Sequence, residues 1–173
     1  ALTTAQVAVF TGAQLASINV DNIPLLSDAQ LGALQAVSLS SLTSSQMQAL
    51  DDSQIAVLST AQTQAIRANV LAVMDQSQVN ALTTAQVEAL SQVQVQGLTG
   101  QQVSWFDTEQ FRALETRDIS ALTADQITFV TADQIQALTT AQVAALSTTQ
   151  VAKMETADVA ALKTGQVAAL TTN

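Results

Sequence analysis

Paired carboxylates are the first side chains in this sequence that could do chemistry. Asp51 and Asp52 are adjacent, and Asp107 and Glu109 stand two apart. Such pairs raise the prospect of calcium binding. A calcium loop, however, needs alternating acids around a glycine turn, and neither place provides one. Serine and threonine are plentiful, but the chain has no histidine to activate them, and Lys153 and Lys163 stand outside any hydroxyl motif. Cysteine and tyrosine are absent as well, which removes the thiol nucleophile, the soft metal ligand and the disulfide frame. The glycines, Gly12, Gly32, Gly97, Gly100 and Gly165, form no phosphate-cradling loop. The expectation is a protein with no catalytic residues, no cofactor and no metal, whose acids are solvated surface groups.

Charge narrows the partners. Fourteen acids against five bases give a net charge of -9, and charged residues are only 11% of the 173, against roughly 25% in ordinary soluble domains. Nucleic acid is not an expected partner, because phosphate binding needs clustered Lys and Arg. Membrane insertion is not expected either. The longest apolar run is Val70 to Met74, and a spanning helix needs about 20 residues. The sequence starts at Ala1, without a signal-peptide pattern, and is expected to be a piece of a longer protein.

The chemistry-poor side chains belong to a repeat. Stepping by eight from Leu2 gives Phe10, Ile18, Leu26 and Leu34, and the column stays apolar through Leu146, Met154, Leu162 and Leu170. No insertion or deletion breaks it. The unit is nearly pure in Leu138 to Ala145, LTTAQVAA. The sixth column, from Val7 to Val167, is apolar except for Thr63. The fifth is mostly glutamine, the second mostly Thr, Ser, Asp or Asn, and the seventh and eighth are rich in alanine. Residues 1–173 are therefore one repeat domain of about twenty-one octads.

A continuous helix cannot use this pattern. Eight residues turn about 800°, so each repeat would rotate its leucine some 80° from the last. In a flat strand, columns one and six would face opposite sides. A short helix restarted in every octad fits: Thr or Ser in column two with Gln in column five is a capping box, and the sixth-column residue and the next leucine share a face. Thirteen of the fourteen acids lie in columns two to five, with only Glu88 outside, as the positive end of each short helix would favour. Helices this short are unstable alone. The expected fold is an all-α solenoid of capped short helices, three or four octads per coil, with Leu, Val and Ala in its core; a β-solenoid is the alternative.

The repeat lapses in three places. Octad 18–25 carries Pro24 in column seven, which predicts an early helix end and a kinked or opened coil. Octad 66–73 has Arg67 at the cap and Val70 in place of glutamine, so its cap is lost. Gly100, Trp105, Phe106 and Phe111 cluster, with Phe129 beyond. Phe106 and Phe111 fall in core columns. Trp105 and Phe129 fall in column eight, three octads apart, where they widen the core or contact a neighbouring subunit.

The run LTTAQVAAL at Leu138 to Leu146, with its variants LSTTQVAKM and LKTGQVAAL, resembles the tandem LTTxQ(V/I)xAL octapeptides of very long, low-charge repeat proteins of some Gram-negative bacteria. The resemblance runs from Leu2 to Thr172. It implies a secreted or cell-surface protein with a structural or adhesive role. Composition agrees, since a Thr, Ser and Gln surface with few charges resists self-association poorly, and a solenoid has open ends that invite head-to-tail contact. The functional expectation is an extracellular, self-assembling filament or surface-layer subunit, a homopolymer joined end to end, with possible contacts to cell surface or matrix. The alternative is a monomeric stalk or binding module of a large adhesin, and a third reading is ice or mineral binding by threonine rows.

Overall fold

Thr83 shows how an octad starts its helix in the computed structural model, which describes residues 2–170. Its backbone is extended (φ -71°, ψ 156°). The Gln86 N–H donates to Thr83 Oγ1 at 3.2 Å, and the Thr83 N–H donates to Gln86 Oε1 at 2.7 Å. Side chain and main chain thus satisfy each other at the point where a helix otherwise leaves donors orphaned. The same reciprocal box is built on Thr3, Thr11, Ser27, Thr43, Ser59 and Thr139, and on aspartate at Asp51, Asp75 and Asp107.

Each helix runs for four to seven residues and stops at or before the next column-one residue. Leu82 has already returned to extended backbone (φ -60°, ψ 128°), and the next cap follows at once. Chain direction therefore changes in every octad without a left-handed residue: among the described residues none has positive φ and no peptide bond is cis. The result is an all-α solenoid of twenty short α-helices and one 3-10 turn among the described residues, with no strand.

Coils form because each helix lies beside the helix three octads further on. Ala36–Leu39 packs on Thr60–Ala65, Thr84–Glu88 on Thr108–Ala113, and Thr140–Ala144 on Thr164–Leu170. Columns one and six point inward and form one continuous core, from Val7 and Leu15 to Val143 and Leu146. Phe106 and Phe111 are buried in it, as their columns require. Column-eight alanine and glycine let the coils approach closely. Gly97 is so near Ala68 of the coil below that a side chain there would overlap its Cβ.

Both irregular octads are visible in the coil. In octad 18–25 the α-helix gives way to a 3-10 turn, Val20–Asn22, followed by Pro24. A hollow of about 810 Å³ opens beside it, between Leu2, Phe10, Ile18, Leu25 and Leu26. In octad 66–73 the helix shrinks to Ala68–Leu71, and Arg67 provides no side-chain cap.

Candidate functional site

From Gln46 to Gln166 the column-five glutamines are buried, and capping uses only part of each. Gln86 receives its cap bond through Oε1 and spends Nε2 on the coil below, donating to the carbonyls of Ile55 at 2.8 Å and Leu58 at 2.7 Å. Those residues lie 31 and 28 positions earlier in the chain. Gln78 does the same to Met47 and Leu50, Gln102 to Leu71 and Met74, and Gln126 to Val95 and Leu98. The pattern reaches Gln166, which donates to Ile135 and Leu138. One carboxamide thus caps the start of its own helix and satisfies the end of another, where carbonyls are left without intrahelical partners. The ladder ties coil to coil along the whole rod.

Four octads inside the ladder lack the glutamine. At column five of octad 34–41, Ser38 Oγ donates to the Phe10 carbonyl at 2.6 Å, again 28 residues back. In octad 66–73, Val70 has nothing to donate, and Arg67 replaces it: its guanidinium donates to the Leu42 carbonyl at 2.9 Å. Leu42 is the residue a glutamine at position 70 would address, so the lost cap is exchanged for a kept rung. Octads 114–121 and 154–161 carry aspartate, Asp118 and Asp158, each preceded by glutamate at the cap column. Asp158 Oδ2 accepts the Glu155 N–H at 3.0 Å and keeps the cap. Both Asp118 oxygens are buried without a hydrogen bond.

The aromatic residues are held differently from one another. Trp105 is partly buried against the core at the end of Gly100–Trp105. Phe129 is about half exposed, and its ring lies flush on Gly100 at the other end of that same helix. Column eight faces column three of the coil below, so a large side chain at 129 requires glycine at 100. Gly100→Ala is expected to cost about 1–3 kcal/mol in overpacking, less a helix-propensity gain of about 1 kcal/mol. Adding Phe129→Ala should return the whole loss, a coupling that a double-mutant cycle of urea midpoints will read. Additive effects would mean that the ring and Gly100 do not oppose each other.

Among the described residues the first rung is Gln30 on Leu2 and the last is Gln166 on Ile135 and Leu138. Gln6 and Gln14 make their cap bonds, but their Nε2 groups donate to no coil among the described residues. At the other end the carbonyls of Val143, Leu146, Val151 and Met154 hold the positions that glutamines of a further coil would address, and among the described residues no side chain donates to them. Apolar core columns surface at both ends. Leu2 is exposed, Phe10 and Ile18 are half-buried, and at the far end Val159 and Val167 are exposed beside half-buried Met154 and Leu162.

Apart from Glu88, at the end of Thr84–Glu88, the acids lie at cap positions or in first turns. Asp51 Oδ1 accepts from Ser53 Oγ at 2.7 Å and from the Gln54 N–H at 2.9 Å, and these two bonds hold its carboxyl below the ordinary value. Asp75 is lowered in the same way, first by the Gln78 N–H and then by Ser77. No group of three or more His, Cys, Asp or Glu is placed to hold a metal among the described residues. Among them no helix is long and apolar enough to cross a membrane.

Comparison with known proteins agrees with the periodicity. Residues 103–140 and 151–173 match the family described as the ALTTAQ repeat, which makes the chain similar to a tandem-repeat protein over those segments. No curated protein matches the sequence.

Proposed function

We propose that this chain is a structural rod element that assembles end to end with further copies of itself into an extracellular filament or surface layer. The observation that carries the reading is the ladder: the carbonyls of each coil take carboxamide protons from the coil above, so a further coil supplied by a second copy can be bound by the same rungs. If a second copy continued the coil with its Leu2 one octad beyond Leu170, Gln6 would address Val151 and Met154, and Gln14 would address Val159 and Leu162, as interior glutamines do 31 and 28 residues back. Such a contact is heterologous and propagates instead of closing. Trp105 and Phe129 are the candidates for a supplementary lateral contact between rods.

Electron microscopy and light scattering of the full chain over a dilution series test this. Uniform fibres should form, and Gln6→Glu with Gln14→Glu should lower assembly by at least about tenfold, by setting anions against carbonyls. Trp105→Ala or Phe129→Ala should alter bundling and leave single fibres intact. Monodisperse rods at every concentration would overturn self-assembly. The stalk of a larger adhesin would then be the better account, with its own repeats covering the same ends.

A further inference from the structure

We propose that Asp118 is a proton-operated latch between two coils: neutral, it bonds to the coil below; charged, it leaves that joint unstitched. The inference does not depend on end-to-end assembly. Position 118 is a column-five position, and the carbonyls 31 and 28 residues back are those of Val87 and Leu90. At Gln86, Gln94, Gln102, Gln110, Gln126 and Gln150 the corresponding carbonyls each receive an amide proton. A carboxylate has no proton to give.

Asp118 is 0% exposed, and neither oxygen has a hydrogen-bond partner. Its helix, Thr116–Ala121, packs against Gln92–Gly97 below and Thr140–Ala144 above, and neither of those helices carries a charged residue. The charges near it are few. Arg117 Nε lies 3.8 Å from Asp118 Oδ1 but is engaged at 2.7 Å by Glu115 Oε2. Glu88 shares a surface cleft with Glu115 and Arg117, and Leu90 lines a second cleft with Arg117. The one cation beside Asp118 is therefore exposed and already paired, while the main chain in front of it is a row of acceptors.

Taking up one proton from water converts the carboxylate into a donor. The new O–H bonds to the Leu90 or Val87 carbonyl, and the remaining oxygen is free to accept. Burial pushes the Asp118 carboxyl upward, against the smaller lowering effects of Arg117 and of the nearby Glu115 main chain, while the Glu115 charge adds to the rise. Between the ordinary aspartate range and the raised folded value, the native state holds a proton that the unfolded chain has released. The joint therefore weakens as pH rises through that window. Asp51 and Asp75 work in the opposite sense, since their lowered carboxyls lose cap stability in acid. A global unfolding curve would mix the two effects, so the readout must be local.

The test is hydrogen exchange of the full chain from pH 4 to pH 8, corrected for intrinsic rates. It follows the amides of Ile119 and Leu122, with the helix Gln76–Ala81 as internal control. At pH 7, Asp118→Asn and Asp118→Gln should slow exchange at those amides by about tenfold or more, and the gap to the parent chain should close toward pH 4. The carbon-13 carboxyl resonance of Asp118 should titrate above the ordinary aspartate range. A gap that stays constant with pH, a carboxyl that titrates in the ordinary range, or a joint tightened at pH 7 by sodium, potassium or calcium ions instead of protons would each overturn the latch. If the longer glutamine disturbs the coil, the asparagine variant alone decides the matter.

Discussion

Gln86→Glu is expected to destabilise its coil joint by about 3–5 kcal/mol at neutral pH, although it changes one side-chain nitrogen to oxygen. Gln86 is 1% exposed, and its Nε2 supplies both protons to the Ile55 and Leu58 carbonyls. A carboxylate keeps the cap bond from Thr83 but turns two attractions into repulsions, and it buries a charge with no cation near it. An uncompensated buried charge carries a penalty of that size. Gln86→Ala loses the same bonds and the cap acceptor without adding charge, and should cost less, about 1–3 kcal/mol. The ordering is the informative part: the near-isostere must be worse than the truncation. Lowering the pH should rescue the glutamate variant and not the alanine variant. Urea midpoints at pH 5 and pH 7 check this, and a glutamate variant as stable as the parent would show that the ladder bonds matter little.

That ordering also shows what the sequence disclosed and what it withheld. The octad, the capped short helices, the apolar columns and the two irregular octads follow from local rules: cap chemistry, helical spacing and the position of Pro24. Each acts within a few residues, so each is readable from one unit. The ladder acts across 28 and 31 residues, and a single octad holds no trace of its partner. A signal was nonetheless present. Glutamate would complete a capping box as well as glutamine, yet column five never contains it. A cap that insists on the amide has a second use for its two protons. The same logic applies to Arg67. As a cap it looks like a loss, and only the coil geometry reveals that it reaches the Leu42 carbonyl in place of Val70.

Trp105 and Phe129 were legible as departures from the small column eight, and their spacing of three octads matches the side-by-side packing of helices. Their surroundings were not legible. Phe129 settles on Gly100, and only the facing of column eight toward column three makes that partner identifiable. Asp118 was the hardest to read. Thirteen acids lie in the polar columns, and a first-turn position ordinarily keeps a carboxylate wet and stabilised by the helix dipole. Column five is the exception because it faces the coil below, and that direction belongs to the solenoid and not to the octad.

Phe111→Ala should show how far such a rod transmits damage. The ring is 1% exposed in the helix Thr108–Ala113, between Thr84–Glu88 below and Ala132–Ala137 above. Column six holds Val, Ile, Leu or Met in most other octads, so this is the largest side chain in that column, and its removal leaves the largest cavity. A loss of about 3–5 kcal/mol is expected, because a core built on carbonyl-to-carboxamide rungs cannot collapse inward without breaking them. Phe129→Ala, by contrast, removes a half-exposed ring and should cost under about 1 kcal/mol. A repeat stack is stabilised mainly between neighbours. Faster hydrogen exchange in Phe111→Ala should therefore be confined to the helices three octads below and above, leaving Gln46 and its neighbours as in the parent chain. Uniform acceleration from end to end would mean instead that the rod unfolds as one cooperative body, with the ladder, and not the local core, setting the size of the unit.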